Sequence, residues 1–113
     1  MKKNNDQVSK TNVKNSILTF KKLVHQLYGE HLERVILFGS QARGDATEDS
    51  DVDILIITQK RLSLEGRERL IAFISHLSMN ENILINFMEM SPQRFNSEQS
   101  PLLLNIRREG IAL

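Results

Sequence analysis

The chain has no cysteine, which removes disulfides, thiolate metal sites and cysteine nucleophiles together and agrees with a reducing compartment. It also has almost no net charge: 15 Lys and Arg against 14 Asp and Glu leave +1. That is too little for the strong positive field that would make nonspecific nucleic-acid binding the first reading, although a local contact with nucleic acid stays open. Aromatic residues are scarce, at 5%. No stretch approaches the roughly 20 consecutive apolar residues that a membrane-crossing helix needs, and the polar start Met1-Lys2-Lys3-Asn4-Asn5-Asp6 is not followed by the apolar run of a signal peptide. The expectation is a cytoplasmic protein that makes no use of a membrane.

What is present suits an ordinary globular domain: 40% apolar and 26% charged residues in a chain of 113. Residues 1–10 are polar without periodicity and read as a flexible tail, which leaves 11–113 as a single domain. Val13, Ile17, Phe20, Val24, Leu27 and Tyr28 recur three and four apart, the spacing of one helical face, and Gly29 is a stop signal. Val35-Ile36-Leu37-Phe38, closed by Gly39, is short and branched enough to be a strand. Val52 to Ile57 is a second such run, interrupted only by Asp53. Both runs are apolar on both faces, which predicts a sheet covered by helices.

Leu70, Ile71, Ile74 and Leu77 predict a helix from a Ser63 cap to about Leu77, broken by Asn80-Glu81-Asn82. Ile83 to Met90 reads as a third strand ended by Ser91-Pro92, and Gln93 to Gln99 as loop or a helical turn. The last helix is the best punctuated, with Ser100 as N-cap, Pro101 at the first position, Arg107 and Arg108 near the negative end and Gly110 as stop. Ile111-Ala112-Leu113 follows as a short strand. The order implies an α/β (α+β) domain: a small mixed β-sheet flanked by α-helices.

Chemistry concentrates between Val35 and Ile57. Asp51 and Asp53 are two apart at the head of a strand, so they share a face and start about 6.6 Å apart at a rise near 3.3 Å per residue. Without a cation they would repel by roughly 2 to 3 kcal/mol at an effective dielectric near 20, and by well under 1 kcal/mol if fully solvated. Packing gives no reason for two acids there; a divalent ion does, and magnesium suits best because it takes one or two carboxylates and completes its shell with phosphates and water. Gly39 lets backbone approach a ligand closely, the Ser40 hydroxyl can meet phosphate oxygens, and Arg43 would add positive charge for the outer phosphates. Gly39 and Gly44 have the glycine spacing of a Walker A loop, but Asp45-Ala46 stands where Lys and Ser or Thr are required. Asp49, Asp51 and Asp53 begin like an EF-hand loop, but Ile54 occupies the glycine position and an apolar strand follows. Both alternatives are rejected.

The segments Gly39-Ser40-Gln41-Ala42-Arg43-Gly44 and Ser50-Asp51-Val52-Asp53-Ile54-Leu55 resemble the signature of the nucleotidyltransferase superfamily. They are particularly similar to the minimal nucleotidyltransferases, small proteins often encoded beside a HEPN-domain partner as its antitoxin. Ser100-Pro101 to Arg108-Glu109-Gly110-Ile111 resembles their C-terminal helix. The resemblance implies a magnesium-dependent transfer of a nucleoside monophosphate, expected to be AMP, from ATP or another nucleoside triphosphate to a hydroxyl on a partner macromolecule. One or two magnesium ions would serve it, and a HEPN-like protein is the implied partner. Carried over by position, Asp51 and Asp53 are the catalytic metal-binding pair, Gly39 and Ser40 hold the triphosphate, and Arg43 is a further phosphate contact.

One departure stands out. Members of the superfamily usually supply a third carboxylate from a later strand, and here register places Asn86 at that position, with Glu89 on the opposite strand face. An amide ligates through oxygen but carries no charge and is no general base. A second reading follows: a catalytically weakened nucleotide-binding or antitoxin module that acts by protein-protein contact.

Overall fold

Apolar residues of the central strands divide by parity, and that division places the helices. A computed structural model describes residues 2–47 and 51–113, with side chains from residue 12 onward. Met1 and the acidic stretch Glu48, Asp49 and Ser50 lie outside the described residues. The elements are helix α1 (Lys2–Tyr28), strand β1 (Leu32–Phe38), a one-turn helix α2 (Ser40–Arg43), β2 (Val52–Thr58), α3 (Leu64–Glu81), β3 (Ile85–Met90), α4 (Pro92–Ser97), α5 (Pro101–Glu109) and β4 (Ile111–Ala112). The sheet order is β3-β2-β1-β4. β1 runs antiparallel to both β2 and β4, whereas β2 and β3 are parallel and joined through α3, so the sheet is mixed as expected.

On one face Val35, Leu37, Val52, Ile54, Ile56 and Ile85 pack against α1 and α3 through Phe20, Val24 and Leu70. On the other, Ile36, Leu55, Ile57 and Met90 pack against Phe95 of α4 and Leu103 and Ile106 of α5. Ile54, Leu55 and Ile56 are wholly buried, and each such side chain contributes about 1.5–3 kcal/mol. Central strands covered on both faces are the physical reason for their unbroken apolar runs. No helix among the described residues is long and apolar enough to cross a membrane.

Several boundaries differ from the sequence reading. α3 runs past Leu77 to Glu81, because Asn82 itself supplies the left-handed cap at φ 54°. β3 begins at Ile85 rather than Ile83, since the Ile83 N–H is taken by the Leu77 carbonyl at the helix end. The stretch after Ser91 is a helix over Pro92–Ser97, capped by the Ser91 hydroxyl. Ser63 and Ser100 cap α3 and α5 as expected, accepting from the N–H of Gly66 and of Leu103.

Glu89 does lie on the face away from Asn86, and it is an anchor there. Its carboxylate accepts from the Tyr28 hydroxyl at 2.5 Å and the Leu62 N–H at 3.1 Å, with Arg67 at 3.6 Å, and its side chain is only 11% exposed. The contact ties the end of α1 to β3 and to the start of α3. Burial first, then the hydrogen bond to Glu89 and the charge of that carboxylate, push the Tyr28 phenol well above its ordinary pKa, against a smaller opposing effect of Arg67. In the unfolded chain the phenol ionises near pH 10, about the value for free tyrosine. The folded phenol keeps its proton there, so stability is complete below about pH 10 and declines as pH rises further. Tyr28 is the only tyrosine, so an ultraviolet titration reads it alone: phenolate is expected to appear together with unfolding rather than before it. Tyr28→Phe is expected to lower stability at neutral pH by about 1–2 kcal/mol, measured by denaturant titration, and to remove the alkaline decline.

Candidate active site

Because β1 is antiparallel to β2 and β2 parallel to β3, the end of β1 and the starts of β2 and β3 meet at one edge of the sheet. Phe38, Asp53 and Asn86 are neighbours in one row across it. Asp53 has the parity that faces α4 and α5, and Asp51, two residues earlier, belongs to the same face. The Asn86 Nδ2 donates to Asp51 Oδ2 at 3.0 Å and more loosely to Asp53 Oδ1 at 3.4 Å. Ionised carboxylates only accept, so chemistry requires the donor end of the amide to face them. Asp51 and Asn86 are exposed and Asp53 is half-buried, which leaves the group open to a ligand from solvent.

Gly39 closes the other side. Its backbone adopts φ 75° and ψ −156°, a region that only glycine occupies without strain. A Cβ placed there would lie 2.6 Å from Asp53 Oδ2, so the turn runs directly against the carboxylate and a side chain would fill that space. From this point α2 starts: the Gly39 carbonyl accepts from the N–H groups of Ala42 and Arg43, both at 3.1 Å, and the Ser40 carbonyl from Gly44 at 3.0 Å. Ser40, half-buried, is thereby held at the rim next to Gly39. Asp53 thus lies against the turn, and the shared Asn86 amide holds Asp51 beside it.

Arg43 is placed differently. Its Nε pairs with Asp45 Oδ2 at 3.2 Å and its Nη1 with Glu109 Oε2 at 3.7 Å, so it ties the turn to the end of α5. The pairing with Asp45 was legible two residues along the chain; that with Glu109 had no sequence signal. Asp45 is exposed and Glu109 half-buried, and the guanidinium is already partly engaged by both carboxylates before any phosphate arrives.

Two carboxylates meeting on one amide, beside backbone that carries no side chain, fit a divalent cation such as magnesium, which takes one or two carboxylates and fills its remaining positions with phosphate oxygens and water. Among the described residues no group of three or more His, Cys, Asp or Glu is placed to hold a metal. Ser50, which precedes Asp51 in the signature, and the acidic Glu48 and Asp49 lie outside the described residues.

The family model described as the nucleotidyltransferase domain matches residues 17–106. A protein of Methanocaldococcus jannaschii that carries the provisional name protein adenylyltransferase is 43% identical over 70 residues, which cover 62% of this chain and 71% of that protein. A second from the same organism, with the same provisional name, is 32% identical over 87 residues, 77% of this chain and 82% of that one. Among solved structures, one provisionally identified as a minimal nucleotidyltransferase superposes with a TM-score of 0.56 at 24% identity, covering 88% of this chain and 94% of the other. A toxin-antitoxin structure with AMP-PNP gives 0.56 at 19% identity, covering 87% and 69%. Those two likenesses concern the fold.

Proposed function

Because the chain belongs to the nucleotidyltransferase domain family, we propose that it transfers AMP from ATP to a hydroxyl on a protein partner, with Asp51, Asp53, Gly39 and Ser40 as its site. The observation that carries this reading is the convergence of both carboxylates on one edge of the sheet, with Asp53 against a glycine turn that leaves no room for a side chain of its own. The provisional names of the relatives supply AMP as the group moved and protein as the acceptor. The toxin-antitoxin neighbour is in keeping with an antitoxin role, and the resemblance of the signature to the minimal nucleotidyltransferases supplies a HEPN-type partner in the cytoplasm.

In the reaction the acceptor hydroxyl oxygen attacks the α-phosphorus and its proton passes to solvent, the bond from that phosphorus to the bridging oxygen breaks, and pyrophosphate leaves. Asp51 and Asp53 would hold magnesium, which would offset the charge of the triphosphate. The Gly39 backbone and the Ser40 hydroxyl position the phosphates beside the two carboxylates, so the contribution of these residues is alignment of attacking and leaving oxygens. Arg43, freed from Asp45 and Glu109, supplies positive charge to the outer phosphates. Arg43→Ala is accordingly expected to raise KM for ATP severalfold with little change in kcat. Its melting temperature should stay where it is, because exposed ion pairs contribute little to stability.

The test is incubation of the chain with α-labelled ATP, magnesium and a HEPN-like partner. Label on the partner supports the transferase. The second reading, a module that neutralises its partner by contact alone, is favoured by the amide of Asn86 in place of a third carboxylate. A tight complex that forms without any label transfer supports that module instead.

A further inference from the structure

Asn86 does more than stand where an acid would be expected. Its N–H group reaches both carboxylates, at 3.0 and 3.4 Å, and so it braces Asp51 and Asp53 together. An incoming cation must take the carboxylate oxygens that this N–H group occupies. For Asn86 to contribute as a ligand its amide has to turn and present Oδ1, and even then it brings no charge.

We infer that Asn86 limits the site to one divalent cation per chain, bound together with the nucleotide. This rests on the proposed role of Asp51 and Asp53. Two cations a few ångströms apart repel strongly and are held in such pairs by shared anionic ligands. Asp51 and Asp53 with a triphosphate suffice for one magnesium ion. A second ion would need further negative charge on the acceptor side, where β3 presents an amide at position 86 and its next acid, Glu89, is committed to Tyr28 and Leu62 on the opposite face. Asn86 is thus a positioning residue: it keeps the carboxylates aligned before the nucleotide arrives and makes cation binding depend on the nucleotide.

The experiment counts manganese, as a spectroscopic substitute for magnesium, by electron paramagnetic resonance on the full chain with and without α,β-methylene ATP. The unaltered chain is expected to hold one ion per chain with the nucleotide and to bind manganese alone weakly. Asn86→Asp is expected to hold two with the nucleotide and to bind manganese alone about tenfold more tightly, as a third unit charge at contact distance implies. Two ions in the unaltered chain overturn the inference, as does an Asn86→Asp chain that still holds one. If Asn86→Asp does not fold without metal, the count on the unaltered chain decides by itself. Asp53→Asn separates the two levels of the argument. Loss of manganese binding in that variant, with two ions in the unaltered chain, sinks only the role of Asn86; retention of full binding in Asp53→Asn overturns the site and this inference together.

Discussion

Asp53→Asn is expected to reduce AMP transfer by about 10³-fold, because several kcal/mol of charge stabilisation at the transferred phosphate is lost and each 1.36 kcal/mol is a factor of ten. The side chain keeps its size and its place in the row with Phe38 and Asn86. One charge of a repelling pair is removed, so the melting temperature of the metal-free chain should stay level or rise. Initial rates of label transfer and a thermal melt of the same preparation check both halves. A fall in activity with a matching fall in stability would mean that the aspartate is a structural residue, and an unchanged rate would place the reaction elsewhere. The effect should also appear as lost binding in calorimetric titration with magnesium and ATP, a measurement that needs no acceptor.

Gly39→Ala should damage the protein on two counts at once. The backbone at φ 75°, ψ −156° costs an alanine about 1–3 kcal/mol. The new methyl would also lie 2.6 Å from Asp53 Oδ2, closer than real contacts allow, so either the turn or the carboxylate must move. A displacement of about 1 Å in an aligned site is enough to lose on the order of 10² in rate. Both stability and transfer should therefore fall, measured by denaturant titration and by initial rates. The cause can be isolated with Asp53→Ala, which removes the atoms that collide. In the double variant Gly39→Ala/Asp53→Ala the stability loss should be smaller than the sum of the two single losses, leaving chiefly the backbone strain. Strict additivity would show that the clash is not the source of the damage.

The site was legible because its chemistry depends on spacing. Asp51 and Asp53, two apart at a strand head, had to share a face, whereas Asn86 was assigned to the third place only through the family resemblance together with its distance before Ser91-Pro92. The caps Ser63 and Ser100 were legible for a similar reason, since a serine hydroxyl satisfies donors only a few residues along the chain. Arg43 shows where such reading stops. Its expected phosphate role was inferred from its place in the signature, but its partner Glu109 is brought to it by the packing of α5 beside β1, which no local pattern encodes. Glu89 was correctly assigned to the opposite face, yet its enclosure by Tyr28 and Leu62 depends on how α1 and the approach to α3 cross the sheet.

Sequence by itself determined most of the elements, their apolar parity, the glycine turn and the two acids on one strand face, because each is a matter of neighbours along the chain. Tertiary structure alone decided that these pieces share one edge. The antiparallel pairing of β1 with β2 and the parallel return of β3 place Phe38, Asp53 and Asn86 in one row. Strand pairing joins residues tens of positions apart, and its register is set by the two apolar faces being buried at once. That long-range constraint is what turns a spacing of two into a binding geometry.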